Sequence, residues 1–151
     1  MSHKKMRMEE IKDRLLNFKD KCRVKVRFND TDMMGIVHFK NYLVYFDDGF
    51  VSFMNNFLAP KRVEETVHLG TAFGVKKVEI TYEGSAKFGD YVVVETMIRH
   101  LGTSSIQFHH DLFREADDAL LATVDCVRLA IDIKTNQLVP ILDFFSNYSQ
   151  L

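Results

Sequence analysis

A chain of 151 residues is about the size of one domain built on one core. With 46% apolar and 27% charged residues, seven glycines and two prolines, it falls outside the disordered, collagen-like and repetitive classes. Twenty basic against 21 acidic residues leave a net charge of −1, so no global positive field draws the chain to nucleic acid or anionic lipid.

The first ten residues, MSHKKMRMEE, mix acids with bases and lack the apolar stretch of a signal peptide, and no apolar run of about 18 residues occurs anywhere. The expected compartment is therefore the cytoplasm, without integral membrane association. Over residues 5–19, Met8, Ile11, Leu15 and Phe18 recur at helical spacing among charges, which predicts a short amphipathic helix. We read residues 1–20 as a helical extension and 21–151 as a single domain. Arg23 to Phe28 alternates basic and apolar residues, the pattern of a half-buried first strand, and the Asn, Asp and Gly of residues 29–35 predict an irregular loop. Asn41 to Leu58 is apolar around most of its circumference, with Tyr42, Phe46, Phe50, Phe53 and Phe57 in one stripe. That predicts a buried helix, despite Gly49, closed by Pro60. Lys61 to Gly74 reads as a loop with a short helical turn. After Gly74 the period is two: Val78, Ile80 and Tyr82 alternate with polar residues, followed by strands over 91–101, 104–113 and 120–133. Short links with turn residues imply antiparallel neighbours, hence an α+β fold in which a meander of about five strands packs on one long helix.

Cys22 and Cys126 match no zinc or redox spacing, so two reduced core thiols are expected rather than a disulfide scaffold. The 13 phenylalanines, with no tryptophan, supply an aromatic core and enough apolar area to line a pocket. On a strand, His109 and His110 point to opposite faces and cannot share an ion, and His109 with Asp111 is two ligands short of a site; no metal or cofactor is expected. No P-loop, dinucleotide fingerprint or nucleophile elbow is present.

The text Val26-Arg27-Phe28-Asn29-Asp30-Thr31-Asp32-Met33-Met34-Gly35-Ile36-Val37-His38-Phe39-Lys40-Asn41-Tyr42, lying between the first strand and the buried helix, resembles the 4-hydroxybenzoyl-CoA thioesterase family of hot-dog-fold proteins, in particular its short bacterial acyl-CoA thioesterase branch. Gly102-Thr103-Ser104-Ser105 and the ending Asp132-Ile133-Lys134 to Val139-Pro140 extend the resemblance over residues 23–141. It implies a long central helix wrapped by a curved antiparallel sheet, homodimers and homotetramers, and an acyl-CoA or acyl-carrier-protein thioester bound between two subunits, with CoA as part of the substrate and no separate cofactor.

By the same resemblance the catalytic carboxylate falls on Asp32, and backbone N–H groups at a helix start, polarising the thioester carbonyl, fall near Ala72, Phe73 and Gly74. A thioester is an activated acyl donor, so one carboxylate acting on water or on the carbonyl, with donors for the oxyanion, suffices. Turn chemistry alone would make Asp32 a loop-shaping residue; the motif around it favours catalysis. Asp30 reads as an Asx-turn residue, and Gly35 as a position of positive φ or close backbone approach. Where many relatives carry Tyr-His, this chain has His38-Phe39, so a substrate-orienting contact is altered. Asn41 and Asp47 are supporting candidates, Asp47 standing where the branch tends to carry Glu. Thr103 and Ser104 can bring hydroxyls to the crevice, and Lys76, Lys77, Lys87, Arg99 and Lys134 are candidates for the CoA phosphates. Two rival functions remain: a hot-dog dehydratase or hydratase on acyl thioesters, and a non-catalytic acyl-thioester binding module.

Overall fold

The computed structural model describes residues 2–149; Met1, Gln150 and Leu151, at the ends of the two expected segments, lie outside the described residues. The elements in chain order are α1 (His3–Asn17), β1 (Lys19–Lys25), α2 (Tyr42–Leu58), α3 (Val63–His68), β2 (Thr71–Tyr82), β3 (Tyr91–Leu101), β4 (Ser105–Arg114), β5 (Ala119–Asp132) and α4 (Ile141–Tyr148). All strand pairs are antiparallel, in the spatial order β1-β3-β4-β5-β2.

The order corrects the expected meander. Strand β2 pairs with β5, not with β3, so the 83–90 segment is a crossover rather than a hairpin link. Spanning three strand spacings needs about 14 Å, and residues 83–90 reach roughly 26 Å when extended. A short link therefore does not oblige adjacency. The crossover is fixed at its start by the N–H groups of Glu83 and Gly84, which both donate to the Leu121 carbonyl, and by fully buried Ala86.

Helix α2 covers the inner face of the sheet. Its buried residues include Tyr42, Tyr45, Phe46, Phe50, Phe53, Met54, Phe57 and Leu58, as the stripe predicts. Gly49 is what lets the helix approach. A Cβ there would stand 2.5 Å from Val94 Cγ1 and 3.1 Å from Thr96 Oγ1, both on β3. Gly49→Ala is therefore expected to destabilise the protein by about 1–3 kcal/mol through overpacking, in spite of the better helix propensity of alanine. A urea midpoint equal to or above that of the wild type would refute this.

Two boundaries differ from the sequence reading. Strand β1 begins at Lys19 and ends at Lys25, earlier than the Arg23–Phe28 pattern suggests, because its inward series starts with a charged residue. Asp20 is 8% exposed and accepts hydrogen bonds from Ser52 Oγ (2.7 Å) and Asn56 Nδ2 (2.5 Å) of α2. Strand β2 starts at Thr71, directly after Gly70 at φ +111° turns the chain out of α3. Helix α1 docks Ile11 and Leu15, both fully buried, into the same core as Phe53, Phe57, Phe144 and Phe145. Helix α4, which the sequence reading left out, completes that core; Ile141, Phe144 and Phe145 sit at helical spacing after Pro140.

Candidate active site

The Asp32 segment runs from the end of β1 to the start of α2 and is braced by the crossover. The Val37 N–H donates to the Ala86 carbonyl (2.9 Å), Phe88 N–H to Gly35 (3.3 Å), and Ile36 and Lys87 form an antiparallel bridge. Within the segment Thr31 and Val37 pair, and the Asp32 N–H donates to Ile36 (2.9 Å). Gly35 sits at φ +77°, the region open to glycine that the motif called for.

Both acids shape the loop, in different ways. Asp30, read as a turn residue, is the buried pivot: its Oδ2 accepts from Tyr45 Oη (2.9 Å) and the Arg27 N–H (3.0 Å), with Arg27 Nε at 3.4 Å. Its carbonyl accepts from the His38 N–H (2.9 Å) and Asn41 Nδ2 (2.8 Å), so Asn41 serves to clamp the loop onto the helix. Burial, followed by this hydrogen bond and the charge of Asp30, pushes the Tyr45 hydroxyl well above the usual tyrosine range. Asp32 is the one that makes the Asx-turn. Its Oδ1 accepts from the Met34 N–H (2.8 Å), while Oδ2 has no partner among the described residues. In the single chain Asp32 is exposed, on an open depression of about 620 Å³ lined by Phe28, Thr31, Met33, Gly35 and Phe88. Its own chain thus does not desolvate Asp32.

His38 caps the turn that leads into α2. Its Nδ1 accepts from the Lys40 N–H (3.3 Å), and its ring stacks on Phe39 with centroids 4.6 Å apart. The N–H of Phe39, the first of that turn, has no acceptor among the described residues. Such an N–H at a helix start carries partial positive charge aimed outward.

The other sites read from sequence do not gather here. Ala72, Phe73 and Gly74 lie inside β2, opposite Ile131, Ala130 and Leu129, rather than at a helix start. Ser105 pairs with that same Leu129, so Thr103 and Ser104 also stand at this end of the sheet. From there to the crossover end is about 30 Å, the length of β4; within one chain none of them reaches Asp32. Asp47 pairs its Oδ1 with Arg128 Nη2 at 2.7 Å. Of the candidate phosphate ligands, Arg99 is engaged with Asp125 (3.4 Å), and Lys87 is the one on the bracing segment.

Sequence reading passed over the polar pair on the inner face of the sheet, although the strand alternation carries the signal. His110 falls between Phe108 and Leu112, and Arg128 between Cys126 and Ala130, in the apolar phase of β4 and β5. Burial, with Arg128 nearby, pushes the His110 ring down to about 3, so it is neutral. His109 points outward as expected, its ring held between Asp111 (3.0 Å) and Asp125 (2.9 Å). Among the described residues no group of three or more His, Cys, Asp or Glu is placed to hold a metal ion, and no helix is long and apolar enough to cross a membrane.

Residues 26–147 match the model of the thioesterase-like superfamily. The chain belongs to that superfamily. It is 33% identical over 110 residues to the acyl-CoA thioesterase YbgC of Haemophilus influenzae, an alignment covering 70% of this chain and 79% of that one. Among solved structures it is similar to the DHNA-CoA thioesterase of Staphylococcus aureus, with a TM-score of 0.78, 17% identity and 86% and 85% of the two chains covered. It is also similar to the hypothetical protein TT1821 of Thermus thermophilus, with a TM-score of 0.75, 27% identity and 89% and 100% covered. These likenesses and the helix-on-sheet architecture make the fold of this superfamily member the hot-dog fold.

Proposed function

We propose that the chain hydrolyses acyl-CoA thioesters to the free acid and CoA, with Asp32 as general base on water or as nucleophile on the carbonyl carbon. The observation that carries this reading is one braced loop holding both an exposed carboxylate with a free oxygen and an unpartnered helix-start N–H. Water gives its proton to Asp32 and adds to the carbonyl, the oxygen charge that develops meets the Phe39 N–H, and the C–S bond then breaks to release the thiolate. The CoA ester as substrate class rests on membership of the superfamily and on the name of the Haemophilus relative. Lys87, beside the loop, is suited to a CoA phosphate.

The working unit in this reading is a homodimer, with a tetramer built from two of them. Strand β2 is an edge strand with Val75 and Val78 exposed, and both line one crevice with exposed Leu43 of α2. A long unpaired edge strand that exposes apolar side chains, here among Lys76, Lys77 and Glu79, offers an association surface. If β2 pairs with its copy about a two-fold axis, the strands run antiparallel, and the 72–74 end of one chain meets the Tyr82 end of the other. Tyr82 donates its hydroxyl to the Phe39 carbonyl (3.1 Å), so that end adjoins the Asp32 loop. Dimerisation thereby supplies both the missing desolvation and a route for Ala72–Gly74 into the site.

Free-thiol release from a panel of acyl-CoA and acyl-carrier-protein esters tests the activity, with turnover expected on CoA esters. Binding of acyl-CoA with no thiol released across the panel would establish the binding module instead, and gain or loss of water without thiol release would establish the hydratase. Sedimentation velocity is expected to show a dimer or tetramer; a monomer at micromolar concentration would sink the shared site.

A further inference from the structure

Two buried hydrogen-bond donors lie idle between α2 and the sheet. His110 is fully buried and Arg128 is 7% exposed. The Thr96 hydroxyl lies 2.7 Å from His110 Nδ1 and has no other acceptor among the described residues, so it donates to Nδ1 and the ring proton sits on Nε2. Among the described residues that Nε2–H has no acceptor, and neither does the Arg128 Nε–H. The Arg128 guanidinium is otherwise held by Asp47 and by the Phe50 ring, 3.9 Å below it. Buried donors are ordinarily satisfied, and these two belong to residues that line one crevice, with no acceptor for them among the described residues.

The cavity is a crevice of about 210 Å³ that both residues line, with apolar walls from Leu43 and Phe46 of α2 and from Val75 and Val78 of β2. It is smaller than the roughly 300–1,000 Å³ of drug-sized sites, which suits a short acyl group. It also reaches Leu43 in the first turn of α2, about one turn on from Phe39.

We infer that this crevice receives the acyl group of the substrate, and that His110 and Arg128 form a subsite for an uncharged oxygen, a carbonyl or hydroxyl, on that group. An oxygen with two lone pairs can accept from two donors. A carboxylate is disfavoured because Asp47 already balances the charge of Arg128. The inference rests on the thioesterase reading and adds the class of acyl group to it.

The test compares kcat/KM for hexanoyl-CoA, 5-oxohexanoyl-CoA, 5-hydroxyhexanoyl-CoA and adipoyl-CoA. The wild type is expected to favour the oxo or hydroxy ester over the plain one by about tenfold or more, because a site with buried polar groups discriminates against a ligand that leaves them unpaired. Adipoyl-CoA should rank below both. In His110→Phe the ratio of oxygenated to plain ester should fall to about one. Arg128→Met, which keeps the stem over Phe50, gives the same reading should the histidine variant not fold. A wild-type ratio near one, or a ratio that survives both substitutions, overturns the subsite. If no ester releases thiol, the hydrolase reading fails, and calorimetric affinities for the same four esters decide the subsite by the same ratio.

Discussion

Asp32→Asn is expected to lower kcat for acyl-CoA hydrolysis by about 10²–10⁴-fold, the range for loss of a positioned acid–base group, while the urea midpoint stays within error of the wild type. The substitution is almost isosteric. Asparagine Oδ1 still accepts from the Met34 N–H, so the Asx-turn and the Gly35 conformation it leads into are retained. What disappears is the charge and the basic lone pair of the oxygen that has no partner among the described residues. Asp30→Ala should do the reverse. It strips acceptors from Tyr45 Oη and the Arg27 N–H, and buried donors left unpaired cost about 1–3 kcal/mol each. The two variants together separate chemistry from scaffolding across two residues in sequence. Wild-type turnover in Asp32→Asn would remove the residue from the mechanism even if the protein remains a thioesterase.

Acidification from pH 6.5 towards pH 4.5 is expected to destabilise the protein through His110. The native ring is held at about 3, whereas in the unfolded chain it titrates near 6.5. Above pH 6.5 both states are neutral and the group contributes no pH dependence. Below it the unfolded chain binds a proton that the native protein refuses, so stability falls, by up to about 1.4 kcal/mol per pH unit. The loss ends near pH 3, where the native ring is protonated as well. It totals a few kcal/mol, a large share of the roughly 5–15 kcal/mol typical of a domain. The groups acting on the ring are Arg128 on β5 and His109 on β4, which disfavour its charge, and Asp125 on β5, which favours it. Urea midpoints measured at intervals over this range check the slope, and His110→Phe should flatten it. An unchanged slope in that variant would trace the acid sensitivity to other groups.

The sequence made the local elements legible where one physical signal dominated. The Phe stripe of α2 and the alternation of β3 to β5 need no knowledge of neighbours. Strand order was another matter, because alternation says which face is buried and not which edge is paired; Val78, Ile80 and Tyr82 look the same whether β2 lies beside β3 or β5. Asp20 hid the start of β1, since a carboxylate satisfied by Ser52 and Asn56 has the pattern of a surface residue. The Asp-Thr-Asp motif marked the loop and its resemblance singled out Asp32, but the buried role of Asp30 rests on Tyr45, fifteen residues on, a contact that local pattern does not show. His110 and Arg128 occupied inward positions in the alternation, and passed as strand residues because each is flanked by groups of the core.

The crossover between β2 and β3 carries a last consequence. The loop that bears Asp32 is laced to it through Val37, Gly35 and Ile36, so the carboxylate does not ride on a free hinge. Its reach is set from a stretch of chain far away in sequence. One residue inserted into or removed from 83–90 would slide Lys87 and Phe88 against the loop and re-aim the acid without altering it, so relatives that differ in this stretch have a means of retuning substrate position while every residue of the motif stays the same.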